Sequence, residues 1–164
     1  MSMAVDFTIR SIDDTRDLKR LRAFIITQAL RYPRHEEWID KVCIPELESG
    51  WKSAIVAWSD GKVIGDAIYQ PHKQLPRTRE LKNLRINPAY RRRDLAHFLI
   101  RQVEEEDNAG FDRILLDAQQ PDVVQWLRFC GYRTVANMPL YDPNVVDTIM
   151  VKEFKPDYSS PFHL

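Results

Sequence analysis

Cysteine is scarce in this chain: Cys43 and Cys130 are the only two in 164 residues. They lie far apart, with no CxxC pairing and no histidine at zinc-finger spacing, which excludes a disulfide framework and a cysteine-based zinc module. The two thiols are expected to be buried and reduced. His35, His72, His97 and His163 fall in no ligand pattern either, so no metal site is assigned. Long apolar runs are also missing. None approaches the roughly 18 residues of a membrane span, and the opening MSMAVDFTIRS lacks the apolar core of a secretion signal. A cytoplasmic protein with no membrane partner is the expectation. No repeat, low-complexity tract or linker interrupts the chain. Residues 1–154 therefore read as one domain, and 155–164 as an exposed, proline-bounded polar tail.

What is present is ordinary in bulk and uneven in detail. Apolar residues make up 44% and charged residues 29%, a globular composition rather than a disordered one. The net charge is zero, yet nine basic residues lie between Lys73 and Arg101 (Lys73, Arg77, Arg79, Lys82, Arg85, Arg91, Arg92, Arg93 and Arg101) against only Glu80 and Asp94. Nine minus two leaves +7 in that window and −7 in the rest of the chain. Such a local field suits a compact polyanionic ligand. Nucleic acid is disfavoured as a partner by the neutral total and by the lack of an aromatic–basic alternation.

Periodicity orders the elements. A short β-like run around Phe7–Ile9 leads to N-cap candidates Ser11, Asp13 and Asp14. Leu18, Leu21, Ile25 and Ala29 then recur at helical spacing up to Tyr32-Pro33. A second helical piece covers about 36–47, with Pro45 as a break and Gly50 as its end. Ser53–Ser59 and Lys62–Gln70 flank Asp60-Gly61, a tight-hairpin signal. A polar loop over 71–79 precedes a strand over 80–86. The main helix is expected over 95–109, closed by Gly110, followed by the apolar strand RILLD (113–117) and a short helix over 122–130 ended by Gly131. Two last strands, over 132–135 and 145–154, complete a β–α–α–β–β–β–α–β–α–β–β order. It predicts an α/β (α+β) fold with a mixed, mostly antiparallel twisted sheet of 6–7 strands and helices on both faces.

The stretch Leu84–Leu99, LRINPAYRRRDLAHFL, places a strand end, a proline turn and three arginines directly before a helix start. Helix N-termini bind anions because their first amides lack partners and sit at the positive end of the dipole. Acidic residues Glu104–Asp107 near the other end give the helix an unfavourable charge sense that a bound polyanion would relieve.

This segment resembles the acyl-CoA loop of the GNAT (Gcn5-related) N-acetyltransferase family, Gln/Arg-x-x-Gly-x-Gly/Ala after an apolar residue, one position and Pro. Ile86, Asn87 and Pro88 fill the lead-in, Arg91 the first position, Arg92 and Arg93 the variable pair, and Ala96 the last. Asp94 stands where the family has its first Gly. Gly131-Tyr132 resembles the pair closing the family's second signature. The resemblance implies that acetyl-CoA is the acyl donor. The strand backbone at Leu84, Arg85 and Ile86 would hold pantetheine, and the amides of Arg91, Arg92, Arg93, Asp94, Leu95 and Ala96 the pyrophosphate. Asp94 before Leu95 also reads as an N-cap whose carboxylate competes for those amides.

The implied reaction moves an acetyl group to an amine of a small molecule or peptide. It needs a base, oxyanion donors and an acid for the thiolate. Glu80, six residues before Ile86 and on the same strand face, resembles the family's general base; the plain alternative is a surface glutamate beside Lys82 or Arg79. Leu127 occupies the place of the usual thiolate-protonating Tyr, which leaves water, Tyr132 or Tyr141. Residues 31–35 resemble the acceptor-lining loop. Asp94 and Leu127 together motivate the alternative of a non-catalytic or weakened acyl-CoA-binding domain, and a homodimer is left open.

Overall fold

The computed structural model describes residues 6–28, 34–91 and 94–154. Seven strands, β1 (Thr8–Ser11), β2 (Ser53–Ser59), β3 (Lys62–Pro71), β4 (Thr78–Ile86), β5 (Arg113–Ala118), β6 (Arg133–Met138) and β7 (Asp147–Glu153), form an open mixed sheet in the order β1-β2-β3-β4-β5-β7-β6. The β1–β2, β2–β3, β5–β7 and β6–β7 pairs are antiparallel, and β4–β5 is parallel. The helices are α1 (Thr15–Thr27), α2 (His35–Trp38), α3 (Ile44–Ser49), α4 (Leu95–Glu105) and α5 (Pro121–Phe129). The expected fold class holds, strand for strand.

The chain divides into two compact units, residues 1–70 with 81–106, and 71–80 with 107–164. In the first, Asp14 caps α1 by accepting from the Asp17 amide (2.8 Å), and Asp17 in turn grips Arg10 at 2.6 and 3.1 Å. The apolar stripe of α1 (Leu21, Phe24, Ile25) packs with Ile39, Cys43 and the β2–β3 residues Ala54, Val56, Trp58, Val63 and Ile68. Asp60 (φ 50°) and Gly61 (φ 71°) make the two-residue turn between Ser59 and Lys62 that their sequence announces. The other sheet face receives α4. Gly65 leaves room on that face: a Cβ there would lie 3.4 Å from Leu99 Cδ1 of α4, and 3.0 and 3.1 Å from Ile86 Cδ1 and the Arg85 carbonyl oxygen of β4.

Several boundaries differ from expectation for identifiable reasons. Helix α1 ends at Thr27, where Gln28 turns extended (ψ 134°); Ala29 and Tyr32-Pro33 lie outside the described residues. Pro45 does not break the second helical piece. A π turn, Ile39–Cys43, shifts the ladder so that Ile44 N–H donates to the Ile39 carbonyl, and Pro45 falls in the first turn of α3, where no N–H is required. Helix α4 stops at Glu105 rather than 109, because Glu106 turns extended and Asp107 adopts φ 47° before a 3₁₀ turn at Asn108–Gly110.

In the second unit, Gly131 (φ 100°) ends α5 as expected. Its N–H bonds the Arg128 carbonyl and that of Tyr132 bonds Leu127, the paired closure typical of a left-handed C-terminus. Strand β6 runs past the expected 135 to Met138, through a register shift between Thr134 and Ala136. The expected tail, 155–164, lies outside the described residues.

Candidate functional site

Strand β4 pairs with β5 through Thr78 with Arg113, Arg79 with Ile114 and Glu80 with Leu115. Leu84, Arg85 and Ile86 form the C-terminal end of β4. The Asn87 amide donates to the Ile64 carbonyl (2.8 Å), and Asn87 Oδ1 accepts from the Ala89 amide (3.0 Å). This side-chain turn redirects the chain into a 3₁₀ turn, Pro88–Tyr90. Arg91 follows, extended and exposed; Arg92 and Arg93 lie outside the described residues.

Asp94 corrects the reading of its carboxylate as a cap. It is left-handed (φ 56°, ψ 18°), and its side chain makes no capping hydrogen bond. An N-cap carboxylate reaches the N2 and N3 amides from a β-region backbone; a left-handed backbone aims it elsewhere. Asp is among the few non-Gly residues that tolerate this region. Asp94 thus takes a conformation that glycine adopts freely, and leaves the first amides of α4 uncovered by its own side chain. Only its carbonyl serves the helix, accepting from Phe98 N at 3.0 Å. Leu95 anchors the first turn in the core at 2% exposure, with Ala96 beside it.

The basic window is less focused than its +7 suggests. Arg77 forks onto Asp112 (2.8 and 2.9 Å) and reaches the Ala109 carbonyl. The Arg79 guanidinium lies 4.1 Å from the Phe111 ring centroid. Arg85 donates to Asn83, and Arg101 approaches Glu104 at 3.8 Å. Asp112 and Glu104 lie outside the window in sequence but against its arginines in space.

Glu80 is half-buried on β4, with Oε2 3.7 Å from His72 Nε2. The sequence offers Lys82 and Arg79 as its surface neighbours; the structure also sets His72 beside it, from the loop before β4. Leu127 is buried in α5, and Tyr132 beside it is only 2% exposed under Lys152. Tyr141 is exposed, with its hydroxyl 3.3 Å from Asp117 Oδ1. Among the described residues no group of three or more His, Cys, Asp and Glu is placed to hold a metal, and no helix is long and apolar enough to cross a membrane. Residues 31–33 of the expected acceptor loop lie outside the described residues, while Arg34 is left-handed (φ 62°) and opens α2.

Residues 15–132 match the family model for the acetyltransferase (GNAT) family. Solved structures share the fold at low identity. A protein from Desulfovibrio desulfuricans described as a GNAT-family acetyltransferase superposes with TM-score 0.77 at 15% identity, over 90% of this chain and 98% of that one. An aminoglycoside 6′-N-acetyltransferase complexed with coenzyme A gives 0.73 at 16%, over 91% and 98%. The ribosomal-protein-S18-alanine N-acetyltransferase from Escherichia coli gives 0.70 at 17%, over 96% and 98%. The comparison with curated proteins returned no match.

Proposed function

Because the chain belongs to the GNAT acetyltransferase family, we propose that it is an acetyl-CoA-dependent N-acetyltransferase of the cytoplasm acting on an amine of a small molecule or peptide. The observation that carries this reading is the path from the Leu84–Ile86 strand end, through the Asn87 turn, to a left-handed Asp94 and an uncapped helix start. The β4 backbone at Leu84, Arg85 and Ile86 holds the pantetheine arm and polarises the acyl carbonyl. The amides from Arg91 to Ala96 bind the pyrophosphate, and the side chains of Arg91, Arg92 and Arg93 add charge.

In the transfer, the neutral amine attacks the thioester carbonyl; the C–N bond forms, the C–S bond breaks, and the amine proton passes to a base. Glu80 takes that role, with His72 beside it. The thiolate takes its proton from water, since Leu127 offers none, Tyr132 is buried and the Tyr141 hydroxyl donates to Asp117. Those facts also favour a second reading, an acyl-CoA-binding domain with weak or no turnover.

Calorimetric titration with acetyl-CoA tests the proposal. Binding that weakens as salt rises is expected, and a protein whose heat signal and melting temperature ignore millimolar acetyl-CoA overturns both readings. Glu80→Gln separates them. It should leave affinity unchanged and lower the acetylation rate on an amine panel by about 10²–10⁴-fold. Unchanged turnover returns Glu80 to the role of a surface partner of His72.

A further inference from the structure

The face of β3 and β4 that α1 and the π turn cover is not wholly apolar. Asp66 on β3 is completely buried, and neither carboxylate oxygen accepts a hydrogen bond from the protein. Asn83 on β4 is 9% exposed; its Oδ1 accepts from Arg85, but its Nδ2 donates to nothing in the chain. Arg85 Nη1 is likewise buried with no acceptor, although Nη2 is engaged by Asn83. The Asn87 amide bonds the Ile64 carbonyl, and a Cβ on Gly65 would lie 3.1 Å from the Arg85 carbonyl oxygen, so Arg85 stands beside Asp66 across the β3–β4 pair. Two acceptor oxygens and two donor groups are left over there, although the large majority of buried side-chain polar atoms find partners. They complement one another, yet Asp66 and Arg85 make no direct hydrogen bond.

The surrounding charges do not supply the missing partners. Lys52 is committed to Gln70 and to Glu46 (2.9 Å), and Cys43, fully buried in the π turn, has its thiol pushed up to about 12 by burial and then by Asp66. Burial also pushes the Asp66 carboxyl up to about 6 against the opposing pull of Arg85. Asp66 and Arg85 cancel in charge, which selects a neutral occupant. π turns within helices are frequent at functional sites, and this one contributes Cys43 to the cover.

We propose that Asp66, Asn83 and Arg85 form a buried polar binding site for a small neutral group that donates to the Asp66 carboxylate and accepts from Arg85 Nη1 and Asn83 Nδ2. Water has this chemistry, and so has a hydroxyl carried by the amine acceptor; the second source rests on the acetyltransferase reading and the first does not. Arg85 belongs to the strand end assigned there to the acyl group, so a hydroxyl held at this site orients an amino alcohol along that strand.

Crystals of the full chain diffracting to high resolution, grown without ligand and then soaked with ethanolamine and coenzyme A, test the site. An ordered oxygen within hydrogen-bond distance of all three groups in ligand-free crystals, unchanged by the soak, identifies structural water. Density at the same partners that extends to a bound ethanolamine only after soaking identifies an acceptor subsite. Both outcomes support the proposal. A dry site with Arg85 turned onto Asp66 in a direct ion pair overturns it, whether or not the protein acetylates anything. Asn83→Leu, which removes one donor, should abolish the density; density that survives in this variant is held by other groups and overturns the assignment.

Discussion

Two of the molecule's arginine–aspartate neighbours come to opposite results. In the unit of residues 71–80 and 107–164, Arg77 and Asp112 meet at the surface in a bidentate pair, and Asp112 is held below the usual carboxylate range by that hydrogen bond. In the other unit, Arg85 and Asp66 are near each other without bonding, and burial drives the Asp66 carboxyl up instead. Water supplies whatever an imperfect surface pair lacks, so such pairs contribute little. A buried pair must be completed internally or remain costly. Residue identity is the same; completed hydrogen bonding decides the sign, since Asp17, buried yet gripped by Arg10, is also held low.

Removing the arginine from each pair should give the largest contrast. Arg85→Leu leaves Asp66 buried without a counter-charge and Asn83 Oδ1 without its donor, and should cost about 3–5 kcal/mol at neutral pH, read by denaturant unfolding. Arg77→Leu should move the midpoint only slightly, because both partners stay hydrated. Equal losses at the two positions sink the comparison.

The pH dependence gives a second contrast of smaller size. Burial pushes the Asp66 carboxyl up to about 6, above the 3.8 of a free aspartate, so the folded state holds a proton that the unfolded chain releases between those values. Its stabilising contribution is complete below the unfolded pKa and is lost as pH rises through about 6. Over that window Asp66 should cost about 3 kcal/mol, at about 1.4 kcal/mol per unit. Asp66→Asn should flatten this decline. Asp112 runs the other way: its contribution is present above its unfolded pKa and lost as the medium is acidified through its depressed folded value. Asp112→Asn should therefore change only the acid limb. A wild-type profile that is flat between pH 4 and 7 after subtraction of the Asp66→Asn curve would falsify the assignment to Asp66.

The same contrast explains what was legible in the sequence. Local signals survived: Asp60-Gly61 made its turn, Gly131 ended its helix, and the order of seven strands held. Features that depend on distant residues did not. Arg77 counted toward a field around the loop until Asp112 was found against it. Gly65 gives no sign in sequence of the close approach to Ile86 and Arg85 that would crowd a Cβ. Asp66 sat in KVIGDAIYQ as one polar residue in a strand; a charge at an inward position of an otherwise apolar segment was the available clue. Asp94 holds the N-cap position that its sequence suggests but makes no side-chain cap, because that preference assumes a β-region backbone and this one is left-handed.

Asp94 offers the smallest and finest test, since it is neither paired like Asp112 nor buried like Asp66. It has no cap bond to lose, and its φ of 56° already suits glycine. Gly relieves the strain of a Cβ but gives the unfolded chain more freedom, and the two effects nearly offset; stability should stay within about 0.5 kcal/mol of the parent. Affinity for acetyl-CoA should rise, because the substitution removes a negative charge beside the amides assigned to the pyrophosphate. A contact of about 1 kcal/mol in a partly exposed site corresponds to about fivefold. Asp94→Asn separates charge from backbone, as it keeps a side chain that tolerates the left-handed region while losing the charge. Equal gains in both variants assign the effect to charge, and a gain in Gly alone assigns it to backbone freedom. A loss of affinity in both means that the carboxylate orders the loop for its ligand, and the charge-conflict reading of Asp94 fails.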